Sequence, residues 1–150
     1  MVTIVVIAHR PLASALVTAA QHVYSRDPCA ASRQLVGLDV APDAELGDAV
    51  AQANALLQSV DRSQCILILT DLLGATPGNV AARLAQPGRI AVVAGVNMPM
   101  LLRALCYCES SLDELVAKAL AGGANGLLQL PAFPGASTTP SDGKAPERKR

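Results

Sequence analysis

The stretch VTIVVIAHRP, residues 2–11, decides how this chain folds. Its residues up to Ala8 are apolar or β-branched with no polar alternation, which is typical of a central strand buried on both faces of a parallel sheet. The strand stops at His9, and Pro11 suits the first turn of a helix but cannot continue a strand ladder. We therefore expect His9 at the carboxyl edge of the sheet, where open α/β sheets place ligands and chemistry.

The size and composition of the chain favour one domain. Its 150 residues are enough to bury a sizeable core, and no second domain is required. Hydrophobic residues make up 51% of the chain but aromatic residues only 2%, so we expect a core of Ala, Val, Leu and Ile. Twelve basic and twelve acidic residues give no net charge, which argues against an electrostatic nucleic-acid or membrane-surface binder.

The first apolar segment is interpreted as a strand and not as a signal peptide, because no basic region precedes it and it ends at His9. No window approaches the roughly 20 apolar residues that cross a bilayer. The cysteines lack paired CxxC spacing, so we expect reduced, mostly buried thiols of a cytoplasmic protein. We expect no metal and no cofactor, since Cys106-x-Cys108 is not a recognised zinc spacing. The four cysteines are Cys29, Cys65, Cys106 and Cys108.

Strands and helices alternate along the chain. This alternation predicts an α/β fold with an open four-stranded parallel sheet flanked by helices. A short fifth strand is expected to form an arm that adds to an edge of its own sheet or of a partner's. The predicted strands lie near residues 2–8, 35–38, 65–70, 90–95 and 127–130, and the predicted helices near 12–24, 44–60, 80–84, 100–108 and 111–121. The domain is predicted to cover residues 1–130, and residues 131–150 are expected to be a disordered Pro/Ser-rich basic tail.

Local signals predict where some helices begin and end. Pro42-Asp43 offers a cap for the second helix. Ser111-x-x-Glu114 has the pattern of a capping box that opens the last helix. Gly122-Gly123 is expected to end that helix, because glycine favours the conformation found after a helix C-terminus.

Two polar residues end two otherwise apolar strands: His9 follows the first and Asp71 follows the third. If these strands are neighbours at the switch point of a doubly wound sheet, the two side chains emerge side by side. A carboxylate that accepts one ring N–H fixes the tautomer and leaves the other ring nitrogen unprotonated. We therefore interpret His9 and Asp71 as one catalytic site with a nucleophilic imidazole.

The loop after Asp71 suggests what this nucleophile accepts. Gly74, Ala75 and Thr76 precede Pro77 at a helix start, so unpaired backbone N–H groups and one hydroxyl face the same edge. Such an edge favours an anion, and phosphate is the commonest candidate. The nucleotide-binding pattern GxxxxGK[ST] does not occur, so the prediction is a phosphoryl group that moves onto His9.

A third polar segment, Asn97-Met98-Pro99, follows the fourth strand. It is either a turn that opens a helix or an apolar rim on which a partner protein docks. The residues alone leave both interpretations open.

Three segments together resemble the IIA component of the mannose family of the bacterial phosphoenolpyruvate-dependent sugar phosphotransferase system. They are the strand that closes on His9, the segment LTDLxGATPxN at 69–79 and the segment GVNMPML at 95–101. The resemblance covers residues 1–130 in order and with similar spacing.

The resemblance implies a phosphotransferase. His9 would receive a phosphoryl group from the phosphohistidine of the carrier protein HPr and pass it to a histidine of a IIB partner, or hold it for regulation. Asp71 would orient His9, and Thr76 would help to hold the phosphate. The family forms a homodimer that exchanges its last strand, which agrees with the arm at 127–130. The resemblance implies no metal and no nucleotide, and it implies contact with the membrane only through permease partners.

The chain departs from the family pattern at two places. Arg10 stands where the family usually has glycine, and it is expected to alter phosphate stability or the choice of docking partner. Ala75-Thr76 replaces a Gly-Ser pair but keeps the hydroxyl. The tail resembles a linker to a IIB domain and ends at Arg150. These features are consistent with a role in sugar transport and with a role in regulation. The sequence does not identify the sugar.

Three other interpretations compete with this one. The phosphocarrier subunit of dihydroxyacetone kinase shares the histidine-ended first strand. A two-component receiver domain would be phosphorylated on Asp71, but it needs acidic residues where this chain has His9-Arg10. A metabolite-binding module would carry no phosphoryl group at all.

Overall fold

The computed structural model describes residues 1–26 and 34–132 of the chain. Within them the chain folds as a four-stranded parallel sheet in the order β2-β1-β3-β4, with helices on both faces. The predicted α/β architecture is confirmed. The elements are β1 (Thr3–His9), α1 (Leu12–Val23), β2 (Leu35–Val40), α2 (Leu46–Gln58), β3 (Ile66–Thr70), α3 (Thr76–Leu84), β4 (Ile90–Ala94), α4 (Met98–Cys106) and α5 (Leu112–Asn125).

Strand β1 lies at the centre of the sheet. It pairs with β2 on one side and with β3 on the other, and Ile7 stands opposite both Leu38 and Thr70. Every residue of β1 except the last is buried, because helices cover both faces of a parallel sheet. The strand becomes exposed only at His9, so the fold carries this one polar side chain to the carboxyl edge.

Two hydrophobic cores lie on opposite faces of the sheet. Residues such as Val6 and Leu69 face α1, α4 and α5, and their neighbours Val5 and Ile68 face α2 and α3. Alternate residues of a strand point to opposite faces, so each strand supplies both cores. Alanines fill many helix positions in these cores, which lets helices approach the sheet closely and suits a chain almost without aromatic residues.

Two helices begin earlier than predicted. Helix α3 begins at Thr76 and α4 at Met98, and each has proline as its second residue. Proline is tolerated there because the first N–H groups of a helix have no partner within the helix. The predicted ranges began at 80 and 100, although Pro77 and the 97–99 segment were also interpreted as possible helix openings.

Two predicted helix ends were wrong. The N-cap of α2 is Glu45 and not Pro42-Asp43. Helix α5 continues through Gly122 and Gly123 to Asn125. A Cβ on Gly122 would lie 2.5 Å from the Cβ of Arg103, and one on Gly123 would lie 2.7 Å from Cε of Met100. Gly122 is therefore needed for close packing of α5 on α4, whereas the atom nearest to Gly123 is the movable end of the Met100 side chain.

The capping box at Ser111 is present in part. The Ser111 hydroxyl accepts a hydrogen bond from the backbone N–H of Glu114 at 3.3 Å, which is the first of its two expected bonds. This bond satisfies one of the open donors at the start of α5.

The predicted fifth strand has no strand partner among the described residues. Segment 127–130 follows α5 without regular structure, and Leu127, Leu128 and Leu130 are 76%, 66% and 76% exposed. Exchange of this arm between two subunits stays a prediction.

Other predictions concern the tail and the thiols. Residues 133–150, which make up most of the predicted tail, and Cys29 lie outside the described residues. Among the described cysteines Cys108 is buried, Cys65 is partly buried and Cys106 is exposed, so the prediction of mostly buried thiols was wrong for them. In residues 1–26 and 34–132, no helix is both long enough and apolar enough to span a bilayer.

Candidate active site

The site is built where two neighbouring parallel strands end. His9 is the last residue of β1, and Asp71 directly follows β3. Nδ1 of His9 lies 2.7 Å from Oδ2 of Asp71, and the backbone N–H of His9 donates to the same oxygen at 3.0 Å. The carboxylate thus holds both the backbone and the ring of His9. The predicted juxtaposition of these two side chains is present.

The hydrogen bond decides which ring nitrogen is free. Asp71 as a carboxylate only accepts, so Nδ1 of His9 carries the shared proton and Nε2 keeps its lone pair. The His9 side chain is 47% exposed and that of Asp71 only 13%. The free ring nitrogen therefore belongs to an accessible side chain, whereas the carboxylate bonded to the ring is largely buried.

Asp71 is held in place by its own surroundings. Its Oδ1 accepts from the N–H of Leu72 at 2.9 Å, and its backbone carbonyl accepts from the N–H of Gly95 at 3.2 Å. Gly95 has φ of 85°, a conformation that side-chain-bearing residues rarely adopt, so glycine is required where β4 returns toward Asp71. The exit of β4 thereby fixes the carboxylate that orients His9.

The pKa of Asp71 reflects two opposed effects. Burial of the carboxyl would raise its pKa, but hydrogen bonds from the His9 ring, the His9 N–H and the Leu72 N–H outweigh burial and leave the pKa below its ordinary value. Asp71 is therefore ionised at neutral pH. An ionised carboxylate stabilises any positive charge that develops on the His9 ring.

The loop of residues 72–75 connects this pair to α3. Gly74 has φ of 84°, and Gly78 packs under the loop so closely that an added Cβ would lie 2.6 Å from the carbonyl oxygen of Leu72. Thr76 is the first residue of α3 and is partly buried. Its hydroxyl makes no hydrogen bond within residues 1–26 and 34–132. The start of α3 thus offers backbone N–H groups and one unused hydroxyl at the same sheet edge as Asp71.

The predicted docking residues have different environments. Asn97 caps α4: its Oδ1 accepts from the N–H of Met100 at 2.9 Å, and its Nδ2 donates to the carbonyl of Gly123 at 3.3 Å. Both polar atoms of Asn97 therefore have structural roles. Pro99 is exposed and Met98 partly so, which leaves these two side chains available at the β4 side of the edge.

Arg10 lies at the centre of the edge. Its side chain is exposed, and its backbone N–H donates to the carbonyl of Val40 at 3.0 Å. The Arg10–Pro11 peptide bond is cis.

Sequence reasoning missed an apolar patch beside the histidine. Leu72 and Leu73 are 59% and 85% exposed directly after Asp71, and Leu12 is 38% exposed just after the His9-Arg10-Pro11 turn. Leucines are unusual in a loop between a strand-ending acid and a glycine turn, and that feature was the available signal. We call these three residues the leucine patch.

Sequence reasoning also missed Asp39. Its Oδ1 accepts from the N–H of Ser14 at 3.1 Å and so ties the end of β2 to the first turn of α1. An acidic side chain near the N-terminus of a helix is favoured by the helix dipole. Asp39 therefore supports the segment that follows His9.

A family profile matches most of the chain. The profile is that of EIIA-man, described as "PTS system fructose IIA component", and it matches residues 3–120. The matched range contains all four strands and every residue of the candidate site.

A curated relative is similar over the same region. The "PTS system mannose-specific EIIAB component" of Escherichia coli (strain K12) is 33% identical over 111 residues, which make up 72% of this chain and 34% of that protein. The chain thus spans about a third of the length of this relative.

Solved structures share the fold. A phosphotransferase system component EIIA from Streptococcus agalactiae superposes with a TM-score of 0.72 at 26% identity, covering 86% of this chain and 97% of that one. A mannose/sorbose specific IIA subunit from Enterococcus faecalis gives a TM-score of 0.74 at 24% identity, covering 89% and 98%. The second likeness shows the fold alone.

Proposed function

Since this chain belongs to the EIIA-man family of phosphotransferase-system IIA components, as its sequence motifs predicted, we propose that it is a phosphocarrier that holds a phosphoryl group on Nε2 of His9. The observation that carries the proposal is the contact of 2.7 Å between Nδ1 of His9 and Oδ2 of Asp71. This contact leaves Nε2 as the nucleophile of a half-exposed ring.

The transfer step follows from this tautomer. The lone pair of Nε2 attacks the phosphorus of a donor phosphohistidine, a new N–P bond forms, and the electrons of the broken bond return to the donor imidazole. The His9 ring becomes positively charged while Nδ1 keeps its proton, and the Asp71 carboxylate stabilises that charge. The donor supplies the reactive bond, so this chain contributes orientation and charge stabilisation.

The start of α3 is proposed to hold the phosphoryl oxygens. The backbone N–H groups of the first turn have no partner within the helix, and the Thr76 hydroxyl is unused in the described part of the chain. Donors of this kind stabilise negative charge that spreads over oxygen during transfer. Gly74 and Ala75 allow the loop to bring these donors to the edge where Asp71 lies.

The leucine patch is proposed as part of the docking surface for partner proteins. Its members follow His9 and Asp71 closely in sequence, and exposed apolar residues beside an accessible histidine suit a protein that must approach the ring closely. In keeping with the family, the proposed donor is HPr and the proposed acceptor a IIB component or a regulatory target. Arg10, Met98 and Pro99 are proposed to border the same surface.

The arm at 127–130 is proposed to join two copies of the chain. Three of its four residues are leucines exposed by two thirds or more in the single chain. Pairing with the sheet edge of a second copy would bury them and satisfy their backbone groups.

Phosphate labelling tests the proposed function. Incubated with radioactive phosphoenolpyruvate, enzyme I and HPr, the protein is expected to take up about one phosphoryl group per chain, because one imidazole is the acceptor. The label should be lost in acid and survive base, as expected for phosphohistidine. A base-sensitive label would instead indicate an acyl phosphate on Asp71, and absence of label would contradict the proposal.

Replacement of an exposed leucine tests the docking surface. Leu73→Asp is expected to lower the second-order rate of phosphoryl transfer from HPr by about tenfold, because a charged group replaces an apolar contact at the interface. The final extent of labelling and the thermal stability should stay close to those of the unaltered chain, since Leu73 is 85% exposed.

The matched control is Leu120→Asp, which alters a leucine of α5 that is 49% exposed. It is expected to leave the transfer rate unchanged. Equal rates for Leu73→Asp and the unaltered protein would remove the leucine patch from the docking surface.

A further inference from the structure

A cavity lies at the edge of the sheet opposite to His9. Its volume is about 260 Å³, and it is lined by residues at the last turns of α2 and α3, before β3 and at the start of β4. Strand β3 has five residues at roughly 3.3 Å each, so about 17 Å of sheet separates this amino edge from the edge that carries Asp71. The cavity is therefore not part of the site described above.

Three arginines line this cavity: Arg62, Arg83 and Arg89. No acidic side chain is among the lining residues. Within residues 1–26 and 34–132 none of the three forms an ion pair, because the His9–Asp71 contact is the only one there. The cavity therefore concentrates positive charge without a protein counter-ion, which attracts small anions.

Arg89 is partly buried, whereas the other two arginines are exposed. Its Nε atom is buried, and it has no hydrogen-bond partner in the described residues. Its Nη1 donates to Oε1 of Gln86 at 3.3 Å, so the guanidinium is only partly satisfied. Apart from this bond, the guanidinium makes no side-chain hydrogen bond in the described residues, so its other outer N–H groups are the donors that an anion in the cavity would use.

The backbone holds Arg89 in place before any ligand binds. Its N–H donates to the carbonyl of Gln86 at 3.0 Å, and its carbonyl accepts from the N–H of Ile66 at 2.8 Å. These bonds anchor the residue to a tight turn and to β3. The guanidinium is restrained only by its bond to Gln86, so the anchored backbone reduces part of the conformational freedom lost on binding an anion.

The ends of two helices partly offset this charge. The C-termini of α2 and α3 lie at the cavity, and each contributes about half a negative charge. Three arginines contribute three positive charges, so the balance stays positive by about two. Arg62 and Arg83 are exposed, and salt will screen their part of the attraction.

The remaining polar lining indicates the class of ligand. Asn54, Gln58 and Gln86 supply neutral amides, each of which can both donate to and accept from a hydroxyl group. The volume is below that of sites for drug-sized ligands, which start at about 300 Å³. We propose that this cavity, with Arg62, Arg83 and Arg89 on the phosphate and the three amides on hydroxyls, binds a compact phosphomonoester that carries hydroxyl groups.

Calorimetric titration of the full chain with glycerol 3-phosphate tests this proposal. We expect saturable binding of one molecule per chain that weakens as salt is raised, since the contacts are ionic. Arg83→Gln and Arg89→Gln are each expected to weaken binding by about tenfold through loss of a charged contact. His9→Ala should bind as the unaltered chain does, because the other edge of the sheet is not involved.

The control variant is Arg103→Gln, which alters an arginine that lies over the ring of Tyr107 and away from the cavity. It is expected to leave binding unchanged. Arg83 lies on the exposed surface of α3, so Arg83→Gln keeps the test decisive if Arg89→Gln fails to fold.

Several outcomes would overturn the assignment. They are the absence of saturable binding up to about 10 mM ligand, an affinity in both arginine variants that equals that of the unaltered chain, and loss of binding in His9→Ala. Inorganic phosphate that binds as tightly as glycerol 3-phosphate would overturn the assignment of the amides to hydroxyl groups. Glycerol alone is expected not to bind.

Discussion

Replacement of His9 by alanine is expected to abolish phosphoryl transfer from HPr to this chain. Alanine removes the imidazole whose Nδ1 is bonded to the Asp71 carboxylate and whose Nε2 is the proposed nucleophile. The fold should persist, because His9 ends β1 and is largely exposed whereas the rest of the strand is buried. The protein is incubated with radioactive phosphoenolpyruvate, enzyme I and HPr and is then separated on a gel. The radioactivity in its band measures the phosphoryl group that it has accepted.

The chain contains its own control for this experiment. It has two histidines, and the second, His22, lies in the last turn of α1. His22→Ala is expected to label as fully as the unaltered protein. Label that persists in His9→Ala, or that disappears in His22→Ala, would show that another residue carries the phosphoryl group.

Replacement of Asp71 by asparagine is expected to slow the transfer by about 10- to 100-fold without abolishing it. Asparagine keeps the shape but loses the charge, and a hydrogen bond to a charged group contributes about 1.5–3 kcal/mol. A change of about 1.4 kcal/mol in the barrier is tenfold in rate. The amide also donates as well as accepts, so the tautomer of His9 is no longer fixed. Rapid-quench labelling with phospho-HPr measures the rate.

Asp39→Asn is the matched control for Asp71→Asn. Asp39 is a second carboxylate toward the carboxyl ends of the strands, but it bonds the N–H of Ser14 and does not touch His9. Its replacement is expected to change stability modestly and the transfer rate little. If Asp71→Asn folds and transfers at the unaltered rate, Asp71 does not orient the nucleophile.

The strands were predictable because the physics that forms them is local. Residues 2–8 and 65–70 are continuous apolar runs, and few arrangements other than a sheet covered on both faces bury such runs completely. Polar residues that end such runs must emerge at the sheet edge. This is why His9 and Asp71 were found without coordinates.

The contact between the two residues depended on strand order, which is not a local property. The sequence is consistent with several orders of four parallel strands, and only an order that places β1 beside β3 brings His9 to Asp71.

Helix ends were also harder to predict, because the same residue type can end a helix or lie inside one. Gly122 and Gly123 serve as contact points against Arg103 and Met100, and the same residues in a loop would end a helix.

Two surface features were not predicted because they also depend on how the elements are arranged in space. Leu73 looks like a core residue in the sequence, and only the loop geometry leaves it 85% exposed. The arginines of the cavity opposite to His9 lie at 62, 83 and 89. They meet only because the C-terminal ends of α2 and α3 converge with the start of β4. No spacing rule connects such residues in one chain.

The ring atom of His9 that carries the phosphoryl group can be identified by NMR. Nitrogen and phosphorus NMR of the phosphorylated, isotope-labelled protein identifies the ring atom that is bonded to phosphorus. The structure predicts a bond to Nε2 of His9, with a proton retained on Nδ1 toward Asp71. Phosphorus on Nδ1, or on any residue other than His9, would contradict the account.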